Sequence, residues 1–108
     1  MKPDEPKLRT IFIRSKTAFL NPRLLEDALL KQPDFQNGGW RIIRNQKEAD
    51  LVVEINLPFL SWNWAFEVTQ PATATLLATG SVREALATQA VPRLAQQLSE
   101  IFKRLREQ

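Results

Sequence analysis

The 108-residue chain contains no cysteine, no histidine and no tyrosine. Without histidine and cysteine it cannot build a Ser-His-Asp or Cys-His triad, a thiol nucleophile, a Cys/His zinc site or a c-type haem attachment. It also lacks any run of more than three consecutive apolar residues, so no segment is long enough to span a bilayer. From the residue types we therefore assign no catalytic residue, no metal ligand and no cofactor.

The composition is that of an ordinary globular protein. Hydrophobic residues make up 44% and charged residues 25% of the chain, as is usual for globular proteins, and a length near 100 residues corresponds to one domain. The net charge of +3 is unevenly distributed: residues 1–47 carry +5, residues 48–84 carry −4 and residues 85–108 carry +2. This order could steer an anionic partner to one face, although a solvated surface is the simpler explanation.

The amino-terminal residues differ from the rest of the chain. Residues 1–7 are charged and contain two prolines, and they predict a flexible lead-in to a single α+β domain formed by residues 8–108. This start has no hydrophobic signal region. We expect a periplasmic or cell-envelope location if an export signal or a lipid-attachment segment was removed from a precursor, and a cytoplasmic location otherwise.

Alternating and periodic apolar patterns predict five strands and two helices. The clearest strand covers residues 50–57, where every second residue is a large aliphatic one. Asn21-Pro22 starts the first helix, because asparagine caps free N–H groups and proline fits the first helical position; Pro33 stops it. The last helix begins near Thr88 and keeps a 3.6-residue apolar period. The other predicted strands cover residues 9–14, 40–44, 61–69 and 75–84, with a turn at 70–73.

The resulting element order is β-α-β-β-β-β-α. Neither helix can hide its apolar stripe except against a sheet, so we predict an α+β fold, a two-layer sandwich with both helices on one face of a mixed sheet. The first two strands must then run parallel across the first helix or be separated by an intervening strand. Gly80 lies inside the last strand and predicts a bulge or a close approach of another group to the backbone.

Two polar groupings contain residue types that catalysis or phosphate binding needs. Ser15-Lys16-Thr17 lies between a strand and a helix, but it has none of the glycines that a phosphate-binding loop requires. Glu54, Glu67 and Glu84 lie on three successive strands, where clustered carboxylates could bind a hard cation or act as acid and base. The residues that flank Glu54 and Glu67 belong to the opposite face, which favours solvent-facing carboxylates. We therefore predict that the chain is not an enzyme.

Aromatic residues crowd into one short segment. Trp62, Trp64 and Phe66 alternate onto one face, and we expect Phe66 and at least one tryptophan to pack in the core. Polar residues interrupt the start of the segment, which could leave an apolar patch exposed. The residues predicted to form a protein-binding patch are Phe59, Leu60, Trp62 and Trp64.

An alternative function is a single-stranded nucleic-acid-binding module on the basic amino-terminal strands. Aromatic side chains on a sheet can stack on bases when nearby cations hold the phosphates. The sequence disfavours this alternative, because residues 48–82 contain no basic residue and an acidic surround repels phosphates. The residues that would form such a surface are Arg9, Arg14, Lys16, Arg41, Arg44 and Trp40.

Three short motifs resemble a pattern of bacterial envelope proteins. They are Glu48-Ala49-Asp50-Leu51-Val52-Val53-Glu54-Ile55, Phe66-Glu67-Val68-Thr69-Gln70-Pro71 and Leu76-Leu77-Ala78-Thr79-Gly80. Over about residues 8–106, the chain is similar to small exported or lipid-anchored domains, and more loosely to the curli-secretion lipoprotein and the amino-terminal domain of the Tol-system propeller protein. It departs from the pattern at the hairpin, where residues 71–74 lack the expected glycine.

This resemblance implies a non-catalytic assembly or scaffold domain, and no catalytic residues are carried over. Together with the residue types, it favours a protein-interaction or assembly domain of the bacterial cell envelope. The expected partners are other envelope proteins or further copies of the chain. No cofactor is expected.

Overall fold

The computed structural model describes residues 9–58 and 60–107. This part of the chain forms a five-stranded sheet and three helices, so the predicted α+β class is confirmed. The predicted element order is broadly confirmed, with one additional short helix. The strands are β1 (Thr10–Ser15), β2 (Arg41–Ile42), β3 (Leu51–Asn56), β4 (Asn63–Gln70) and β5 (Thr75–Arg83), and the helices are α1 (Pro22–Leu30), α2 (Pro33–Asn37) and α3 (Ala87–Glu107).

The sheet has the strand order β2-β1-β3-β4-β5. β1 pairs in parallel with β2 and β3, whereas β3–β4 and β4–β5 are antiparallel, so the sheet is mixed as predicted. The first two strands adopt the parallel arrangement, with α1 and α2 forming the crossover between them. The register places Val53 between Ile13 and Val68, which aligns aliphatic side chains on one face of the sheet.

The helices cover the aliphatic face of the sheet and enclose a single cluster of buried side chains. α1 and α3 pack against each other and against the strands, which gives the predicted two layers. Within the described residues, no helix is long and apolar enough to cross a membrane. The largest fully buried side chains are Trp64, Phe35, Phe66, Phe102, Ile11, Leu20, Leu25, Leu29, Leu51, Ile55, Leu94 and Leu98.

The crossover contains a helix that the sequence pattern did not predict. Asn21 caps α1 as expected, since its side chain accepts a hydrogen bond from the backbone N–H of Arg23 at 3.0 Å. Pro33 follows the end of α1, but it also begins α2, because proline suits the first turn of a helix. Phe35 of α2 is buried, with its ring centroid 5.9 Å from that of Phe102 in α3. This core contact stabilises a helical turn too short to persist alone.

Two other boundaries differ from the predicted ones. β2 contains only Arg41 and Ile42, and Arg44 turns toward α1, where it forms a salt bridge with Glu26 at 3.1 Å. The β4–β5 hairpin passes through a 3-10 turn at Pro71–Thr73, followed by Ala74 with a φ of 52°. This left-handed conformation is usually adopted by glycine. The hairpin therefore forms without the glycine that the resemblance led us to expect.

Asp50 ties the start of β3 to the start of β1. Its carboxylate accepts hydrogen bonds from the backbone N–H groups of Arg9 (2.8 Å) and Thr10 (3.0 Å). The backbone N–H of Asp50 donates to the Thr10 hydroxyl at 2.9 Å. Partial burial raises the pKa of Asp50, but the hydrogen bonds from Arg9 and Thr10 together outweigh burial, and the pKa lies below its ordinary value. The ionised carboxylate is thus part of the native strand pairing.

We expect Asp50→Ala to lower the free energy of unfolding by about 1–2 kcal/mol at neutral pH, because two backbone donors lose a charged acceptor. Since the folded-state pKa is below the unfolded-state value, the charge stabilises the fold above the unfolded-state pKa. That contribution is lost as the pH falls through the folded-state pKa. Urea unfolding measures the loss in Asp50→Ala at neutral pH. It also compares wild type with Asp50→Asn, which lacks only the charge: the difference between their free energies of unfolding should shrink as the pH falls through the acidic range. A constant difference would contradict the role of the charge.

Candidate protein-interaction site

Four connections leave the sheet at the same end, and three of them carry large exposed apolar residues. β1 and β3 are parallel, and β5 runs in the same direction because both β3 and β5 are antiparallel to β4. The segments after β1 (residues 16–21), between β3 and β4 (57–62) and after β5 (84–86) therefore emerge together. Since neighbouring strands lie about 5 Å apart, these loops occupy an edge roughly 15 Å wide.

Large apolar side chains of these loops are exposed to solvent. The exposed fractions are 76% for Phe19, 90% for Leu60, 63% for Trp62 and 59% for Leu86. We call these four residues the apolar end. Single exposed apolar residues are common on soluble proteins, but the strand directions bring these four to one end of the sheet, which makes that end a candidate interaction surface.

Backbone hydrogen bonds hold Ser61 and Trp62 of the β3–β4 loop. The N–H of Ser61 donates to the carbonyl of Pro58 at 3.0 Å, and the N–H of Glu84 donates to the carbonyl of Trp62 at 3.1 Å. Leu60 has a φ of 56°, a left-handed conformation that costs a non-glycine residue about 1–2 kcal/mol. Strained backbone of this kind is concentrated at functional sites. The loop thus presents Leu60 and Trp62 to solvent at an energetic cost.

The structure separates the four residues of the predicted protein-binding patch. Leu60 and Trp62 are exposed at the apolar end, whereas Trp64 is 2% exposed and its indole N–H donates to the carbonyl of Glu84 at 2.8 Å. Trp64 is therefore corrected from a contact residue to a core residue, because the helical layer covers it. Phe59 lies outside the described residues. The expectation that Phe66 and one tryptophan pack in the core is confirmed.

Sequence reasoning missed Phe19 and Leu86, which complete the apolar end. Neither residue lies in a strand or a helix, so no alternation or helical period marks it. The available signal was their place in the connections that follow two predicted strands, and it becomes informative once β1, β3 and β5 are known to run in one direction.

Sequence reasoning also missed a groove between α1 and α3. It has a volume of about 480 Å³, and Leu24, Ala28, Val91 and Pro92 provide its apolar lining. Its polar lining is Asp27, Lys31, Gln32 and Thr88. Leu24 is 46% exposed, so part of this apolar surface is open to solvent. The groove lies in the size range of sites that bind small molecules or single side chains.

Ion pairs occupy several of the charged groups near these loops. Glu54 pairs with Arg14 (2.5 Å) and Lys16 (3.2 Å), and Glu84 pairs with Arg93 of α3 (2.7 Å). The cations of these pairs are about half exposed or more, so each pair stabilises the fold by only about 1 kcal/mol or less. Their main consequence here is that the carboxylates near the apolar end are partly neutralised.

The three carboxylates considered as a metal or acid–base site do not come together. Glu54 and Glu67 are register partners on β3 and β4, but Glu84 follows β5 and turns to Arg93 on the helical side. Among residues 9–58 and 60–107, no group of three or more acidic side chains could hold a metal ion. Glu54 is also less exposed than the sequence suggested, because Arg14 and Lys16 cover it.

The alternative nucleic-acid surface lacks its aromatic platform. Trp40 is 7% exposed, and the guanidinium of Arg106 lies over its indole ring, 4.4 Å from the ring centroid. Arg106 also donates from Nε to the carbonyl of Gly38 at 2.6 Å, which fixes it there. Trp40 is thus corrected from a stacking residue to a core residue. Three of the five cations assigned to that surface, Arg14, Lys16 and Arg44, are held in salt bridges.

Comparisons with known proteins show a likeness of fold alone. No protein-family model and no curated protein sequence matches the chain. The chain is similar to PelC from Paraburkholderia phytofirmans, solved as a dodecamer of a single-substitution variant, with 16% identity over 90% of this chain and 88% of that one and a TM-score of 0.50. It is also similar to TolB from Acinetobacter baumannii, with 10% identity over 93% of this chain and a TM-score of 0.54.

The chain spans only 28% of the length of TolB, so that comparison concerns one part of a larger protein. Its similarity to TolB agrees with the loose resemblance to the Tol-system propeller protein inferred from the three motifs. That resemblance is therefore confirmed at the level of the fold.

Proposed function

We propose that the chain is a non-catalytic assembly domain of the bacterial cell envelope, which contacts other envelope proteins or further copies of itself through the apolar end. The observation that carries this proposal is the exposure of four large apolar side chains at one end of the sheet. Removing such side chains from water is the main favourable term in protein association. Tryptophan is also enriched among the residues that dominate binding energy.

Two further observations support this function. The chain shares its fold with a protein solved as a dodecamer, PelC, and with part of TolB. Two of the three carboxylates considered for an acid–base reaction, Glu54 and Glu84, are paired with cations. An envelope location rests on the resemblance to exported domains, and fractionation of cells that express the native gene would test it; recovery in the cytoplasm alone would exclude it.

The double variant Leu60→Ser/Trp62→Ser should lose binding through the apolar end. We expect its association with copies of the chain, or its recovery of envelope proteins in a cross-linked pull-down, to weaken at least about 30-fold, as for residues that contribute 2 kcal/mol or more. The stability should change little because both side chains are exposed. Sedimentation velocity and quantitative mass spectrometry provide the measurements.

Leu30→Ser is the matched control, since Leu30 is 49% exposed at the far end of α1 from the apolar end. It should leave both association and recovery at the wild-type level. If the double variant keeps wild-type association and recovery while remaining folded, the apolar end is not the contact surface.

A further inference from the structure

Within one chain, an exposed apolar loop and an open apolar groove occupy different places. The loop tip, which we define as Leu60 and Trp62, lies between β3 and β4, and the α1/α3 groove lies on the helical layer. Leu60 is 90% exposed and Trp62 is 63% exposed, so neither side chain fills the groove of its own chain. The loop tip and the groove therefore both expose apolar atoms to water, and the loop tip of a second copy could cover those of the groove.

We propose that the loop tip of one copy inserts into the α1/α3 groove of the next copy. This inference rests on the proposed function, since it takes the apolar end as the contact surface and names a second copy as the partner. The groove volume of about 480 Å³ accommodates an indole ring together with a branched aliphatic side chain. The lining matches these groups, because Leu24, Val91 and Pro92 provide apolar contacts.

In this arrangement the contact is head-to-tail: each copy gives its loop tip to one neighbour and its groove to another. Contacts of this type generate closed rings when the rotation between copies closes, and filaments when it does not. A ring is the form that agrees with the dodecamer of the similarly folded PelC. The backbone hydrogen bonds at Ser61 and Trp62 favour such a contact, because they reduce the conformational freedom that these two residues lose on docking.

Disulfide trapping tests this contact cleanly, because the chain contains no cysteine. Leu60→Cys places a thiol on the loop tip, and Thr88→Cys places one on the groove lining with little change in side-chain size. Under mild oxidation, an equimolar mixture of the two single variants should give a cross-linked dimer that neither gives alone. The variant that carries both cysteines should give a ladder of higher oligomers. Thr79→Cys, at an exposed threonine on β5, replaces Thr88→Cys in the control and should not cross-link.

A substitution in the groove tests the same contact without thiols. Leu24→Lys puts a charge at the groove, on an exposed position of α1, and should weaken self-association at least about 30-fold while leaving the fold intact. Sedimentation velocity measures the change, and circular dichroism checks the fold.

The outcomes distinguish this inference from the proposed function. Cross-linking of Leu60→Cys to itself, or to an envelope protein, with no product from the mixture would overturn the groove contact and keep the apolar end as an interface. Wild-type association of Leu24→Lys, or a chain that stays monomeric at high concentration, would also overturn it. Failure of the proposed function itself would instead appear as wild-type self-association, and wild-type recovery of envelope proteins, by the Leu60→Ser/Trp62→Ser variant.

Discussion

Replacing Trp64 by alanine is expected to lower the free energy of unfolding by about 4 kcal/mol. Trp64 is among the largest fully buried side chains, and its loss leaves a cavity between β4 and the helical layer. The indole N–H also donates to the carbonyl of Glu84 at 2.8 Å, so the variant removes a hydrogen bond that fixes the chain after β5. A domain of this size has a total stability of about 5–15 kcal/mol, so the loss should be a large fraction of it.

Trp62→Ala is the matched control, because it removes the same side chain two residues earlier on the same face. Trp62 is 63% exposed, so the expected loss is within about 0.5 kcal/mol. Trp64→Phe should lie between the two, since it keeps an aromatic ring but loses the donor to Glu84. Urea unfolding followed by circular dichroism gives all three values. A similar loss for Trp62→Ala and Trp64→Ala would contradict the placement of Trp62 at the surface.

Gly80→Ala is expected to cost about 2–3 kcal/mol, as overpacking of a filled core does. A Cβ atom at Gly80 would lie 2.4 Å from Cζ and 2.6 Å from Cε2 of Phe66, and 2.8 Å from Oε1 of Gln97. The amide of Gln97 is at the end of a flexible side chain and can move, but Phe66 is buried in the core and its ring cannot shift without displacing its neighbours. The close approach predicted for Gly80 is therefore confirmed, with the Phe66 ring as the group that needs the space.

A double-mutant cycle checks this explanation. In the Phe66→Leu background, which removes the ring, Gly80→Ala should cost at most about 1 kcal/mol. Ser81→Ala, at the exposed neighbouring position, should have almost no effect in either background. If Gly80→Ala costs the same with and without the Phe66 ring, the steric account is wrong and a backbone effect at Gly80 would have to replace it.

The same close packing positions Trp62 of the apolar end. Phe66 and Gly80 are register partners, and so are Trp64 and Val82 and then Asn63 and Arg83. These pairs bring the start of β4 beside the end of β5, where the N–H of Glu84 meets the carbonyl of Trp62. The backbone of Trp62, which is exposed, is thus held by the same β4–β5 strand pairing that contains the buried Trp64. We expect destabilising changes at Gly80 to weaken association as well, through loss of this strand pairing.

Elements with a strong local signal could be predicted from the sequence. Residues 50–57 alternate so regularly that they predict a half-buried strand, and β3 forms there, although Val52 on its other face is buried as well. Asn21-Pro22 combines a capping side chain with a residue suited to the first turn. α2 could not be predicted in this way, because Phe35 is its only buried residue and the reason for its helical turn is a contact with Phe102, far along the chain. The two-residue β2 is likewise limited by a partner outside it, since Arg44 reaches Glu26 of α1.

The sequence alone determined the chemistry that the chain lacks, the two-layer arrangement and the face on which Trp62, Trp64 and Phe66 lie. Alternation is a property of the extended backbone and needs no partner. Only the tertiary structure decided which of Trp62 and Trp64 is buried: Trp64 packs in the core within β4, whereas Trp62 precedes β4 and is 63% exposed. It also decided that Phe19 and Leu86 join Leu60 and Trp62, since that grouping depends on strand direction and order. The absence of histidine and cysteine excludes triad and thiol chemistry from the sequence alone, whereas the apolar end, through which we propose that the chain associates, is visible only in the folded structure.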